Sequence, residues 1–135
     1  MHPLTSSAGK PFVLDIGGEG RHADAWNLNP SSTKTIGPQR GNPIPRHLAG
    51  RADAIPLPDA SVDEIVVERT PLTAAALREI ARVIIPGGHL TLRHAMPPGI
   101  DPHAAARTYF GDEGITEQIL LAGARLQQTR FVMAR

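Results

Sequence analysis

Phe12-Val13-Leu14-Asp15-Ile16-Gly17-Gly18-Glu19-Gly20 is the stretch whose reading decides the fold. It is a short apolar run that stops in a glycine-rich turn, with one carboxylate, Asp15, near its end. Strands apolar on both faces belong to the buried middle of a parallel sheet. Ligands of such sheets bind beyond the carboxyl ends of the strands, where glycine lets backbone approach closely. An ordinary core strand followed by a turn would satisfy the same residues, so the stretch needs support from elsewhere in the chain.

Composition narrows the field. A chain of 135 residues is expected to form one domain, 1–135, around one core. A formal net charge of +1 offers no bulk electrostatic case for nucleic acid or an anionic membrane. The absence of cysteine excludes a disulfide framework, a thiol nucleophile and a cysteine-ligated metal, and fits a reducing cytoplasm. Met1-His2-Pro3-Leu4-Thr5 lacks the cationic start and apolar run of a secretory signal. No stretch is long and apolar enough to cross a bilayer. The 6 histidines show neither a Ser-His-Asp order nor a metal-ligand spacing, so no metal site and no catalytic residue is assigned. A soluble, cytoplasmic α/β domain is expected.

Working outward, residues 1–11 read as a polar arm. Trp26 and Leu28 alternate with polar neighbours and mark a second strand stopped by Pro30. Parallel neighbours normally need a crossover of a dozen or more residues. Only Gly17 to His22 lies between these runs, a reach of roughly 20 Å at ~3.3 Å per residue. The crossover is therefore expected to be a bare loop. Residues 31–50 are broken by Gly37-Pro38, Gly41-Asn42-Pro43 and Pro45 and carry Lys34, Arg40, Arg46 and His47; they read as a lid, a basic contact surface or a solvated linker. Arg51 to Ile55 reads as the end of a short strand, and Val62 to Glu68 as a buried one. A helix from Leu72 or Thr73 to Val83 follows, with Leu77, Ile80, Ala81 and Ile84 on one face and Pro86-Gly87-Gly88 ending it. A strand over His89 to His94, helices from Asp101 to Phe110 and from Ile115 to Ala124, and a strand over Gln128 to Ala134 complete the expectation.

Taken in order, these pieces resemble the class I S-adenosylmethionine-dependent methyltransferases from Phe12 to about His94. Four segments carry the resemblance. They are Val13-Leu14-Asp15-Ile16-Gly17-Gly18-Glu19-Gly20; Trp26-Asn27-Leu28-Asn29-Pro30; Arg51-Ala52-Asp53-Ala54-Ile55-Pro56-Leu57-Pro58-Asp59-Ala60-Ser61-Val62-Asp63-Glu64-Ile65; and Leu77-Arg78-Glu79-Ile80-Ala81-Arg82-Val83-Ile84-Ile85-Pro86-Gly87-Gly88-His89-Leu90. The last is the most specific. The closest likeness is to a small, truncated branch without the first crossover helix. The resemblance implies a Rossmann-like, mostly parallel, doubly wound sheet with helices missing from one face.

It also implies a cofactor, S-adenosyl-L-methionine. With no room for a helix after Gly20, the pyrophosphate of a dinucleotide would be poorly held, whereas this cofactor carries none. The implied cofactor-binding residues are Asp15 near the amino-acid part, Gly17, Gly18 and Gly20 in the turn, Asn27 and Leu28 at the ribose (Asn29 if the register slips), Asp53 and Ala54 at the adenine, and Glu68. Arg69, Thr70 and His94 are candidate substrate contacts. Two positions depart from the family. Asn27 stands where an acid grips both ribose hydroxyls, and Glu19 stands where a glycine is usual, or one residue is missing.

Methyl transfer from a sulfonium is an in-line displacement that can run on positioning and desolvation, so the lack of an evident base does not exclude it. The expected activity is methyl transfer to a large or carrier-bound substrate. The competing reading is a degenerate accessory or interaction module on the same fold. Because Phe12-Val13-Leu14 and Ile65-Val66-Val67 are apolar on both sides, a helix-poor face is expected to be covered by the 31–50 loop, by a second copy in a homo-oligomer such as a dimer, or by a partner protein.

Overall fold

Val62–Glu68 forms the middle of the molecule, in a computed structural model that describes residues 10–134. Most of the expected arm, residues 1–9, lies outside the described residues. The strands are β1 (Val13–Ile16), β2 (Ala25–Asn29), β3 (His47–Ala49), β4 (Val62–Glu68), β5 (Ile84–Ala95), β6 (Ile115–Leu121) and β7 (Ala124–Val132). The helices are α1 (Ala74–Val83) and α2 (Ala104–Phe110). One seven-stranded sheet has the order β3-β2-β1-β4-β5-β7-β6. Strands β1 to β5 run parallel, and β7 is antiparallel to both β5 and β6. The fold is therefore the mostly parallel Rossmann-like sheet expected, and the strand order reverses direction between β1 and β4.

The bare crossover is present. Gly17 donates to the Leu28 carbonyl at 2.8 Å, Gly18 to the Asp15 carbonyl at 3.2 Å and Ala25 to the His22 carbonyl at 3.1 Å, so turns alone join β1 to β2. Register then sorts side chains onto two faces. Leu14 lies beside Trp26 and Ile65, Ile65 beside Leu90, and Leu90 beside Phe131. This face builds the core with Leu77, Ile80 and Val83 of α1 and Ala106 of α2. Thr73 caps α1 through Oγ1, which accepts from Ala76 N at 3.1 Å. Arg82 ties the helix to the preceding loop. It donates to the carbonyls of Ile55 and Leu57, each at 2.8 Å, while Glu79 accepts from Ile55 N at 2.8 Å.

Among the described residues no helix covers the opposite face, yet it is not the apolar surface expected from Val13 and Val66. Along it Asp15 neighbours Asn27 and Val66, while Glu68 neighbours Arg93, and Arg93 neighbours Gln128. A polar ladder crosses it. Glu68 lies 3.4 Å from both Arg21 and Arg93. Arg93 Nε donates to Gln128 Oε1 at 2.7 Å, and Gln128 Nε2 to Glu117 Oε1 at 2.7 Å. Buried polar groups partnered this way need no apolar cover.

Three expectations need correction. The helix expected over Ile115 to Ala124 is the strand β6 and a tight turn. Ala122 and Gly123 have φ of 50° and 81°, the two positive values of a two-residue hairpin turn, and Leu121 pairs with Ala124. A run this short has no decisive period, and its β-branched Ile and Thr favour the extended form. Arg51 to Ile55 is a tight turn closed by an Arg51–Ala54 bridge, and the strand lies earlier, in β3. Pro86-Gly87-Gly88 does not end the helix. It lies inside β5, which begins at Ile84, as an irregularity between the pairs Val62–Ile84 and Glu64–His89.

Candidate functional site: the carboxyl edge of the sheet

At the reversal point the chain leaves two adjoining hollows that share Gly17 and Thr70. The larger, about 640 Å³, is bounded by Gly17, Glu19, Gly20 and Arg21, by Asn29 and Glu68, and by the segment Lys34 to Gln39. The smaller, about 300 Å³, lies between Leu28 and the turn Gly50 to Asp53. Both sit just beyond strand carboxyl ends, where open α/β sheets take ligands.

Glycine is required at the shared wall. Gly17 has φ of 76°, and a side chain there would run into Thr70 Oγ1. At Gly18 a Cβ would lie 2.5 Å from the Asp15 carboxyl carbon. Gly20 has φ of 114° and would bring a Cβ within 2.8 Å of Pro45. Thr70 fixes the wall from the other side: its hydroxyl donates to the Ile16 carbonyl at 3.3 Å.

Of the residues singled out in the sequence, Gly17, Gly20, Glu68, Arg69 and Thr70 line the larger hollow, and Leu28 and Asp53 line the smaller. Asp53 is exposed and pairs with Arg51 at 3.6 Å. Ala54 closes the turn behind it through a 3.1 Å bond to the Arg51 carbonyl. Asp15, Gly18 and Asn27 lie underneath. Asp15 has no exposed surface, and Arg21 covers it with Nε on Oδ2 at 2.9 Å and Nη2 on Oδ1 at 2.6 Å. Asn27 is spent inside the chain, donating to the Pro45 carbonyl at 2.8 Å and accepting from Gly20 N at 3.2 Å. The strand-end residue at the hollow is Asn29, the register alternative. Its Nδ2 donates to the Gly18 carbonyl at 3.2 Å, and its Oδ1 accepts from Ser31 N at 3.0 Å.

His94 sits behind the wall. Its Nε2 lies 2.7 Å from the Thr70 carbonyl and its Nδ1 2.9 Å from His103 Nε2. A carbonyl only accepts, so Nε2 of His94 carries hydrogen, Nδ1 accepts, and His103 donates to it. His103 Nδ1 then accepts from Thr129 Oγ1 at 2.7 Å. Burial holds both imidazoles neutral, lowering His94 and taking His103 down to about 4. The pair orients Thr70.

Sequence reading missed Arg21 and the part played by Glu19. The signal for Arg21 was present, because a buried strand-end acid needs a cation and Arg21 is the first one after the turn. Glu19 accepts from Thr35 N through both oxygens at 3.1 Å and from Thr35 Oγ1 at 2.5 Å. It joins the glycine turn to residues 33–43, which fold back on themselves through a Thr33–Pro43 bridge.

A family model described as a methyltransferase domain matches residues 14–92, more than half the chain and nearly all the elements that make the two hollows. The chain belongs to the methyltransferase domain family. Among curated proteins none matches it. Solved methyltransferase structures share the fold at low identity. A SAM-dependent methyltransferase from Methanosarcina mazei superposes with TM-score 0.66 at 10% identity, covering 94% of each chain. The 16S rRNA (adenine(1408)-N(1))-methyltransferase of Catenulisporales acidiphilia, solved as a mutant with cosubstrate SAM, gives 0.63 at 14% identity, covering 93% of this chain and 86% of that one. A methyltransferase-like protein from Haloferax volcanii, solved in complex with the Trm112 methyltransferase activator, gives 0.59 at 18% identity, covering 98% of this chain and 85% of that one. Methyltransferase membership thus agrees with the fold and with the truncated form, which keeps only α1 and α2 among the described residues. No helix among them is long and apolar enough to cross a membrane.

Proposed function

We propose that the chain binds S-adenosyl-L-methionine along the two hollows and transfers its methyl group. The observation that carries this is their adjacency on either side of Gly17 and Thr70, which puts both hollows within reach of one elongated nucleoside lying over the sheet's reversal point. The smaller hollow takes the base beside Asp53. Asn29, rather than Asn27, faces the sugar. An amide there keeps an acceptor without the charge, and hydrogen bonds to charged groups exceed neutral ones by ~1 to 2 kcal/mol, so affinity should be modest.

The bound cofactor would supply an electrophilic methyl on a sulfonium, and the acceptor's lone pair would displace it to leave S-adenosylhomocysteine. The chain's part is positioning. Gly17 and Gly20 let backbone close on the ligand, Glu68 offers a carboxylate to a cationic end, and Arg69 and Thr70 edge the opening toward the acceptor. The acceptor is a large or carrier-bound molecule. A partner, as in the Haloferax complex, or a second copy would complete the site's outer wall.

Titration calorimetry with S-adenosylhomocysteine tests this, with micromolar to tens of micromolar binding expected. Silence at millimolar ligand would favour the accessory-module reading. That reading draws on Asp15 and Asn27 both being consumed inside the chain.

A further inference from the structure

Arg21 presents a guanidinium to the larger hollow where the strand-end acid would have presented a carboxylate. Asp15 is sealed from the hollow, with both oxygens taken by Arg21 Nε and Nη2. The same side chain, 29% exposed, lines the cavity beside Gly17, Gly20 and Glu68. Its Nη1 stands 3.4 Å from Glu68 Oε2. A guanidinium has five N–H donors in a planar fork, and Asp15 uses two of them. Donors on Nη1 and Nη2 remain for an anion in the cavity.

We propose that Arg21 is the residue that reads the carboxylate of an amino-acid-bearing nucleoside in this hollow, with Glu68 taking the ammonium. This rests on the cofactor reading above and deepens it. The charges agree with a zwitterionic guest, because Asp15 and Glu68 are offset by Arg21 and Arg93. A site already neutral in sum gains most from a ligand whose own charges cancel, each meeting its opposite. Buried Asp15 fixes the plane of the guanidinium, so the remaining N–H groups are pre-aimed and lose little freedom on binding. Arg21 is thus a specificity residue. It separates S-adenosylhomocysteine from nucleosides that carry the same base, sugar and sulfur without the amino-acid end.

Paired titrations with S-adenosylhomocysteine and 5′-methylthioadenosine, which lacks that end, test the assignment. The wild type should prefer the former. Arg21→Gln should weaken S-adenosylhomocysteine about ten- to a hundredfold, the scale of a lost charged hydrogen bond, and leave 5′-methylthioadenosine within about twofold. Because Arg21→Gln also strands Asp15, the double variant Asp15→Asn with Arg21→Gln removes the unpaired charge and should show the same selective loss. Equal weakening of both nucleosides, or no change in either, would overturn the role of Arg21 while leaving the cofactor site standing. Failure of the wild type to bind either nucleoside would remove the site and this role together.

Discussion

At the scale of the residue, the two buried imidazoles carry the clearest pH signature. His103 has no exposed surface, and burial, followed by His94 and Arg107, lowers it to about 4, while Asp101 pulls the other way. Burial likewise lowers His94, against the Thr70 carbonyl and Glu68. Protonating His94 would set two N–H groups face to face across the 2.9 Å contact, and protonating His103 would turn its Nδ1 from the acceptor of the Thr129 hydroxyl into a donor. Unfolded histidines protonate near 6.5. The folded values are depressed, so this contribution is complete above about 6.5 and is lost as pH falls toward 4. Asp101 behaves differently. Arg107 beside it holds its carboxyl well below the ordinary carboxylate range, so its contribution persists until pH falls below about 4. Thermal melts from pH 8 to 4 should show the midpoint declining across 6.5 to 4, and His103→Gln should flatten that decline. A wild-type midpoint constant over this window would remove the neutral pair.

Between turn and sheet, the element that matters is the folded-back segment 33–43. Gly41 N donates to the Lys34 carbonyl and Lys34 N to the Asn42 carbonyl, each at 2.8 Å, which gives it internal order. Its hold on the glycine turn is Glu19 on Thr35, at the surface. Lys34, Thr35, Ile36, Pro38 and Gln39 wall the larger hollow, so loosening this contact is expected to let that wall open more often. Charge-assisted bonds at an exposed site are worth ~1 kcal/mol, which is about a fivefold change in a local opening equilibrium. Glu19→Ala should therefore speed tryptic cleavage after Lys34 and Arg40 by about that factor while leaving the global melting point nearly unchanged. Equal cleavage rates in the two proteins would show that Glu19 does not latch the segment.

Across the whole molecule, cover is uneven. The helices pack on one face, whereas the other is held by the ladder from Arg21 through Glu68, Arg93 and Gln128 to Glu117. The edge strand β6 exposes Ile115 and Leu120, at 72% and 75%, and its outer backbone groups meet solvent. Amide exchange should accordingly be slowest in β1, β4 and β5, whose Leu14, Ile65, Val67, Leu90 and Leu92 are at or near zero exposure, and fastest in β6 and residues 33–43. Protection of β6 comparable to β4 would instead reveal that the edge is covered in solution by another chain, the oligomer or partner anticipated from the missing helices.

The sequence alone determined the order of the pieces. Glycine, proline and period-two apolar runs act through local backbone geometry, and they sufficed to place β1, β2, β4, α1 and the bare crossover, with α2 within a turn. The conformation of 115–124 was left to tertiary structure, because a short apolar segment is stable only in whichever form its neighbours pair with. Pairing with β7 made it a strand. The same limit governed the site. The resemblance, carried over residue by residue, implied that Asp15, Asn27, Asp53 and Glu68 lie near one edge of the sheet. Which of them faces the hollow depended on which polar neighbour satisfied each buried group first, and that competition brings Arg21, Pro45 and Gly20 to bear from elsewhere in the chain. Arg21 took Asp15, Pro45 and Gly20 took Asn27, and the opening passed to Asn29, Glu68 and the guanidinium itself.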